Sequence, residues 1–165
     1  MGACQVGYNP TEAELSFIRK SYDDSVAFLT ICGGVIQAAA AGVLNGTICT
    51  GPRPMLGMMK QMSPETTWVE QRYVQDGKVW TSGALLNGLD MMRAFATQTW
   101  GNEGAGCIAQ FLLQLGHFPQ RDVDYKDAVG PLRANREMSL LGFGASNFPE
   151  IASFLPNHIF EQTEP

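Results

Sequence analysis

Apolar residues occur along this chain in short blocks divided by glycine, proline and acidic positions, and the spacing inside each block predicts its element. Thr11-Glu12-Ala13-Glu14 has the form of a capping box, and Leu15, Ile18 and Tyr22 follow at helical spacing, so a helix is predicted from residue 12 to about 21. Val26 to Ile31 reads as a buried strand, Gly33 to Val43 as a helix ended by Asn45-Gly46, and Thr47 to Thr50 as a short β-branched strand. Trp68 to Val74 and Lys78 to Thr81 flank Gln75-Asp76-Gly77, a hairpin signal because Asp-Gly accepts the positive φ angles of a tight turn. Ser82 is placed to cap a helix whose Leu85, Leu89, Met92 and Ala96 form one apolar stripe. A further helix from about Glu103 to Leu115 stops at Gly116. Such alternation implies an α/β domain.

Beyond Phe118 the pattern weakens. Prolines at 119, 131, 149 and 156 interrupt it and residues 120–137 are rich in charge, yet Leu140–Phe143 and Ile151–Leu155 are too apolar for a free tail. The expected organisation is a domain over 1–117 and an extension over 118–165 that packs on the domain or on a partner subunit.

Composition narrows the function classes. A chain of 165 residues with 45% hydrophobic and 16% charged content has material for one core. Its net charge of -5 and 11 scattered basic residues argue against nucleic acid and against an anionic membrane surface. No run reaches the roughly 18 apolar residues of a membrane helix, and the first residues lack the order of a signal peptide, so a cytoplasmic location is expected. The four cysteines, Cys4, Cys32, Cys49 and Cys107, are widely spaced with no C-x-x-C pair. They read as free thiols, with no metal site, and Cys4, Cys49 and Cys107 as small buried hydrophobes. The glycines of Gly101–Gly106 and Gly142–Gly144 do not match a dinucleotide fingerprint, and Met55, Met58, Met59 and Met62 read as an adaptable core or interface face.

Cys32 differs from the other three. It stands between the predicted strand and the glycines that open the next helix, a turn at the carboxyl edge of the sheet where doubly wound proteins place ligands. A helix N-terminus there lowers a thiol pKa and offers free backbone N–H groups, so a thiolate and an oxyanion hole at Gly33 and Gly34 can arise from one turn. The alternative is a packed thiol in a turn chosen only for small residues. Thr50, Arg53, Trp80, Thr81 and Ser82 are candidate pocket residues; Arg53 offers an anionic group a bidentate fork, and it also reads as a solvated surface arginine. Trp80, Thr81 and Ser82 equally read as a strand end and helix cap. His117 and His158 are the only histidines, and with Asp90 they read as structural or surface residues.

Ile31-Cys32-Gly33-Gly34 followed by Ala39-Ala40-Ala41-Gly42-Val43-Leu44-Asn45-Gly46 resembles the nucleophile elbow of the ThiJ/PfpI superfamily, related to class I glutamine amidotransferases, and particularly its isonitrile hydratase-like branch. Tyr73 to Gly83 and Gly88-Leu89-Asp90-Met91 look like that branch's hairpin and following helix, and the likeness runs from about Gly2 to Gly116. The resemblance implies a flavodoxin-like three-layer α/β sandwich, a homodimer or higher oligomer, no cofactor, and Cys32 as nucleophile. In isonitrile hydratases the thiolate attacks the isonitrile carbon and water releases an N-substituted formamide; other relatives act on small aldehydes.

The chain departs from the pattern in three places. Family members begin with strand–helix units that carry an acidic partner for the cysteine and a Gly-Gly loop, and Met1-Gly2 reads as starting after that loop, an N-terminal truncation that would leave a central strand edge open to another chain or another copy. Gly33 stands where the protease-like branch has His, and Pro52-Arg53 where hydratase relatives carry His-Trp. Three functions follow: a cofactor-independent enzyme using Cys32 on a small electrophile, with hydratase or lyase chemistry; a biosynthetic enzyme on the same scaffold working by pocket shape without the cysteine; or a non-catalytic binding module. The first is the expectation carried forward.

Overall fold

The computed structural model describes residues 9–101 and 106–126, and of Gly106 and Cys107 the backbone alone. Its elements are α1 Glu12–Asp24, β1 Phe28–Ile31, α2 Gly34–Ala40, β2 Ile48–Cys49, a 3₁₀ turn Arg53–Met55, α3 Leu56–Met62, β3 Thr67–Trp68, β4 Tyr73–Asp76, β5 Val79–Ser82, α4 Asn87–Trp100 and α5 Gly106–Leu115. Expectations for Cys4, His158 and the apolar clusters after residue 126 lie outside the described residues.

Local rules start most elements. The Thr11 hydroxyl accepts from the Glu14 N–H at 3.4 Å while the Glu14 carboxylate accepts from the Thr11 N–H at 2.8 Å, closing the capping box that opens α1. The helix runs to Asp24, past the predicted end near 21, and Ser25 turns the chain by adopting an extended conformation. Gly77, at φ 56, makes the hairpin turn between β4 and β5.

β1 pairs in parallel with β5, and β5 pairs with β4 antiparallel, giving the sheet order β1-β5-β4; β2 and β3 form a separate parallel pair. Strand alternation divides the larger sheet's faces. Phe28 and Val79, register partners, pack with Ile18, Val35, Ala38 and Leu44 on the α1 and α2 side. Leu29 and Trp80 face α4, where Trp80 meets Phe95 edge-on at 5.5 Å. Helices on both faces make three layers. The first core continues through Cys49, Met59 and Trp68 under α3, so of the methionines on that face Met59 is buried and Met62 exposed.

Four expectations need correction. Val26 is 96% exposed and precedes the strand, because the chain is still crossing from α1. The predicted strand Trp68–Val74 is two strands in different sheets, β3 and β4, since Trp68 is drawn to β2 and buries its indole with its N–H donating to the Ser63 carbonyl at 3.1 Å. Ser82 ends β5 and caps nothing; the Asn87 side chain accepts from the Ala84 N–H at 3.0 Å in the turn before α4. The expected apolar stripe of α4 is not its buried face: Leu85 and Leu89 are exposed, while Asn87, Gly88, Asp90 and Met91 are buried. Gly88 sets this rotation, for a Cβ there would lie 2.9 Å from Ile31 Cγ2, so only glycine lets α4 approach β1 so closely. On α5, Ile108, Phe111, Leu112 and Leu115 are exposed. Among the described residues no helix is long and apolar enough to cross a membrane.

Candidate functional site

The join between β1 and α2 carries an uncommon backbone. Cys32 has φ 54, one of two non-glycine residues with positive φ among those described, and Gly33 returns at once to helical angles. The left-handed region costs a residue bearing a Cβ about 1–3 kcal/mol and persists only where its surroundings enforce it. Here both sides are tied. The Cys32 N–H donates to the Ser82 carbonyl at 3.3 Å, and the Val35 and Ile36 N–H groups donate to the Cys32 and Gly33 carbonyls at 3.3 and 3.1 Å. This is a strained strand-to-helix turn, the backbone geometry that a nucleophile elbow uses. The thiol is half-buried, and among the described residues the Gly33 and Gly34 N–H groups have no acceptor.

Around the elbow three strand ends converge. Continuing the register Ile31↔Ser82 by one residue sets Gly83 beside Cys32. A Cβ on Gly83 would stand 2.6 Å from the Tyr125 hydroxyl, 3.0 Å from Asn87 Oδ1 and 3.4 Å from the Gly51 carbonyl, so the residue after Thr50, the residue after Ser82 and Tyr125 meet there. The Tyr125 hydroxyl donates to Asn87 Oδ1 at 2.9 Å, and burial pushes its phenol up from the ordinary value, with Arg53 and Arg72 pulling the other way. The Arg53 and Arg72 guanidinium carbons lie 4.6 and 4.7 Å from the centre of its ring.

The pocket candidates divide. Thr50 and Thr81 are fully buried and bonded to each other, the Thr50 N–H donating to Thr81 Oγ1 at 2.8 Å; the Thr50 hydroxyl donates to the Gln71 carbonyl at 2.8 Å. Ser82, also fully buried, directs its hydroxyl to the Thr30 carbonyl at 3.5 Å. Trp80 faces the α4 layer. Arg53 is held at 2.6 and 2.8 Å by the Glu70 carboxylate and stacked on Tyr125, so it is neither solvated nor a vacant anion fork. Asp90, 3% exposed, binds the Arg121 guanidinium through both carboxylate oxygens at 3.0 and 2.5 Å. His117 is exposed at the end of α5 with φ 49.

Sequence reasoning did not find Gly83, Asn87 or Tyr125. Their common signal is small or polar residues at positions where β5 and α4 should be apolar, but the partner, Tyr125, is 38 residues from Asn87. Among the described residues no three His, Cys, Asp or Glu side chains are placed to hold a metal ion.

No curated protein gives a significant match to the sequence. A THiJ/PfpI family protein from Pseudomonas syringae has a similar structure, with TM-score 0.62 and 16% identity over 87% of this chain and 57% of that one. A structure of an AraC family transcriptional regulator from Pseudomonas putida aligns with TM-score 0.54 and 15% identity over 64% of this chain and 55% of that one. The chain thus spans little more than half the length of these relatives, and the shared architecture is the flavodoxin-like α/β fold. Residues 7–98, from before α1 to near the end of α4 and including the Cys32 turn, match the DJ-1/PfpI family, to which this chain belongs.

Proposed function

We propose that this chain is a cofactor-independent enzyme in which Cys32 adds to a small electrophile, with hydration of an isonitrile, as in the isonitrile hydratase-like branch, as the reaction. One observation carries the reading: a thiol at φ 54 between β1 and α2, with two glycine N–H groups beside it that have no acceptor among the described residues. The thiolate forms a C–S bond to the terminal carbon of the isonitrile, that carbon takes a proton to give an N-substituted thioformimidate, and the nitrogen is protonated in turn. Water then adds to the thioimidate carbon, and the Gly33 and Gly34 N–H groups receive the oxyanion that forms. Collapse breaks the C–S bond, returns the thiol and releases the N-substituted formamide. Among the described residues no carboxylate or imidazole is hydrogen-bonded to the Cys32 sulfur, so the proton acceptor in this reading is water or a group outside them.

The reading includes self-association. Among the described residues β1 pairs on one side only, and alternation turns the Leu29 and Ile31 peptide groups toward the open edge. A second copy would supply the missing partner, and a monomeric mass by analytical ultracentrifugation would refute this.

The test of the chemistry is incubation with cyclohexyl isocyanide and, separately, methylglyoxal, following formamide or lactate by mass spectrometry. The expected result is formamide from the unmodified chain and none from Cys32→Ser. Turnover that survives Cys32→Ala would overturn the covalent mechanism.

A further inference from the structure

A cleft of about 320 Å3 opens between α4, Tyr73 of β4 and the segment Pro119–Arg121, and Cys32 is not among the residues that line it. We propose that this cleft binds a small carboxylate, gripped by the Arg93 guanidinium and the Tyr73 hydroxyl; the proposal does not rest on the reading of Cys32.

Volume and charge both point this way. The cleft lies at the small end of the range for small-molecule sites. Its charged lining is Asp90, Arg93 and Arg121. Asp90 and Arg121 neutralise one another through two hydrogen bonds, with the Asp90 carboxylate 2% exposed. Arg93 has no carboxylate partner among the described residues. Its donors reach the Phe118 carbonyl at 3.3 Å and the Gln120 amide oxygen at 3.5 Å, both long and uncharged contacts. A guanidinium so placed retains donors for a bidentate partner, and the single surplus positive charge matches a monoanion.

The remaining wall is made of hydrogen-bonding groups. Tyr73, Thr97 and Gln98 line the cleft, and the Tyr73 hydroxyl has no hydrogen-bond partner among the described residues. Burial, then the Asp90 and Asp122 carboxylates, push this phenol up from its ordinary value, so it remains an O–H donor at neutral pH. Asp122, the second carboxylate acting on this phenol, faces Lys126 at 3.2 Å. An apolar ligand would leave the guanidinium and the hydroxyl facing nothing, at the cost of unpaired buried donors, whereas a carboxylate satisfies both.

The experiment uses the full chain, with lactate as the carboxylate probe and inorganic phosphate as the comparison anion, each titrated by isothermal calorimetry and by NMR of the Arg93 side-chain N–H. Saturable lactate binding is expected on the order of millimolar, weakened about tenfold or more in Arg93→Gln. Because Arg93 also braces Phe118 and Gln120, Tyr73→Phe serves as the second variant. It removes one oxygen and should weaken binding several-fold with the thermal midpoint unchanged. Protein alkylated at Cys32 should bind lactate as before. Binding that is absent, that both variants leave intact, or that alkylation of Cys32 abolishes would overturn the proposal. So would phosphate binding more tightly than lactate through the same residues, since the cleft would then be reading charge alone.

Discussion

The Cys32 elbow and the polar seam that joins α4 to residues 118–126 meet around Gly83, yet opposite physics builds them. The elbow is local: four consecutive residues, a positive φ, peptide groups without acceptors, and little side-chain bonding. It stores strain. The seam is long-range: Asp90 with Arg121, Asn87 with Tyr125, the Arg72 N–H donating to the Val123 carbonyl at 2.8 Å, and Tyr125 against two guanidiniums. It relieves strain by satisfying nearly every polar group it buries. Substitutions at the elbow should therefore cost chemistry and spare stability, and those in the seam should lower stability.

The largest expected effect tests the elbow. Cys32→Ala should lower turnover by about a thousandfold or more, the usual consequence of removing a nucleophile. Cys32→Gly should do the same while raising stability by about 0.5–1 kcal/mol, because the left-handed strain of about 1–3 kcal/mol is relieved and glycine's flexibility in the unfolded chain takes part of it back. Kinetics and a urea midpoint on the same two variants decide it. A Cys32→Gly protein less stable than the parent would mean that the turn is relaxed, and the contrast between the regions would fail.

In the seam, Asp90→Asn leaves Arg121 facing a neutral amide. Since the arginine side chain is one-third exposed and water can reach it, the cost should be about 2 kcal/mol, below the full value of a broken buried pair. That corresponds to a fall of about 4–8 °C in thermal midpoint for a chain of this size. An unchanged midpoint would make the seam a surface association without energetic weight. Tyr125→Phe removes only the bond to Asn87 and should cost about 1 kcal/mol, with the ring still stacked on Arg53 and Arg72.

The two regions also differ in how far they could be read in advance. The elbow was visible in the sequence because its determinants are adjacent: an apolar β-branched run, a cysteine, two glycines and a short alanine-rich helix. The capping box and the Asp76-Gly77 turn were visible for the same reason. The seam was not, since its pairs are separated by 31 and 38 residues and its members look like ordinary surface residues. Counting apolar positions put Leu85 and Leu89 inward on α4, whereas a close approach at Gly88 and two polar anchors put them outward. Periodicity reports which face is greasier; it cannot report a face chosen by glycine contact and a distant arginine. Arg53 shows the same limit, because Glu70 and Tyr125 that occupy it leave no mark near it in the chain.

The smallest effect expected separates the two thiols that flank this boundary. Cys49 is fully buried, and burial pushes its thiol up from 9.0, partly offset by hydrogen bonds with Thr47 and Thr81 and reinforced by Asp76. Well below pH 9 the folded and unfolded chains both hold this proton, so it contributes no slope there. As pH rises past 9.0 the unfolded thiol ionises while the folded one does not, the unfolded state binds fewer protons, and stability falls by at most about 1.4 kcal/mol per pH unit. Tyr73 and Tyr125 are likewise pushed up, but from 10.0, so their share of the fall sets in about one pH unit above that of Cys49. Urea midpoints under reducing conditions should stay level near neutral pH and decline from about pH 9 upward, and Cys49→Ala should reduce the decline while lowering the midpoint at neutral pH. In the native protein iodoacetamide should modify Cys32 well before Cys49, as judged peptide by peptide. If Cys49 reacted first, the part of the core under α3 would be opening more readily than the elbow, and the rigid surroundings that hold Cys32 at positive φ would have to be sought elsewhere.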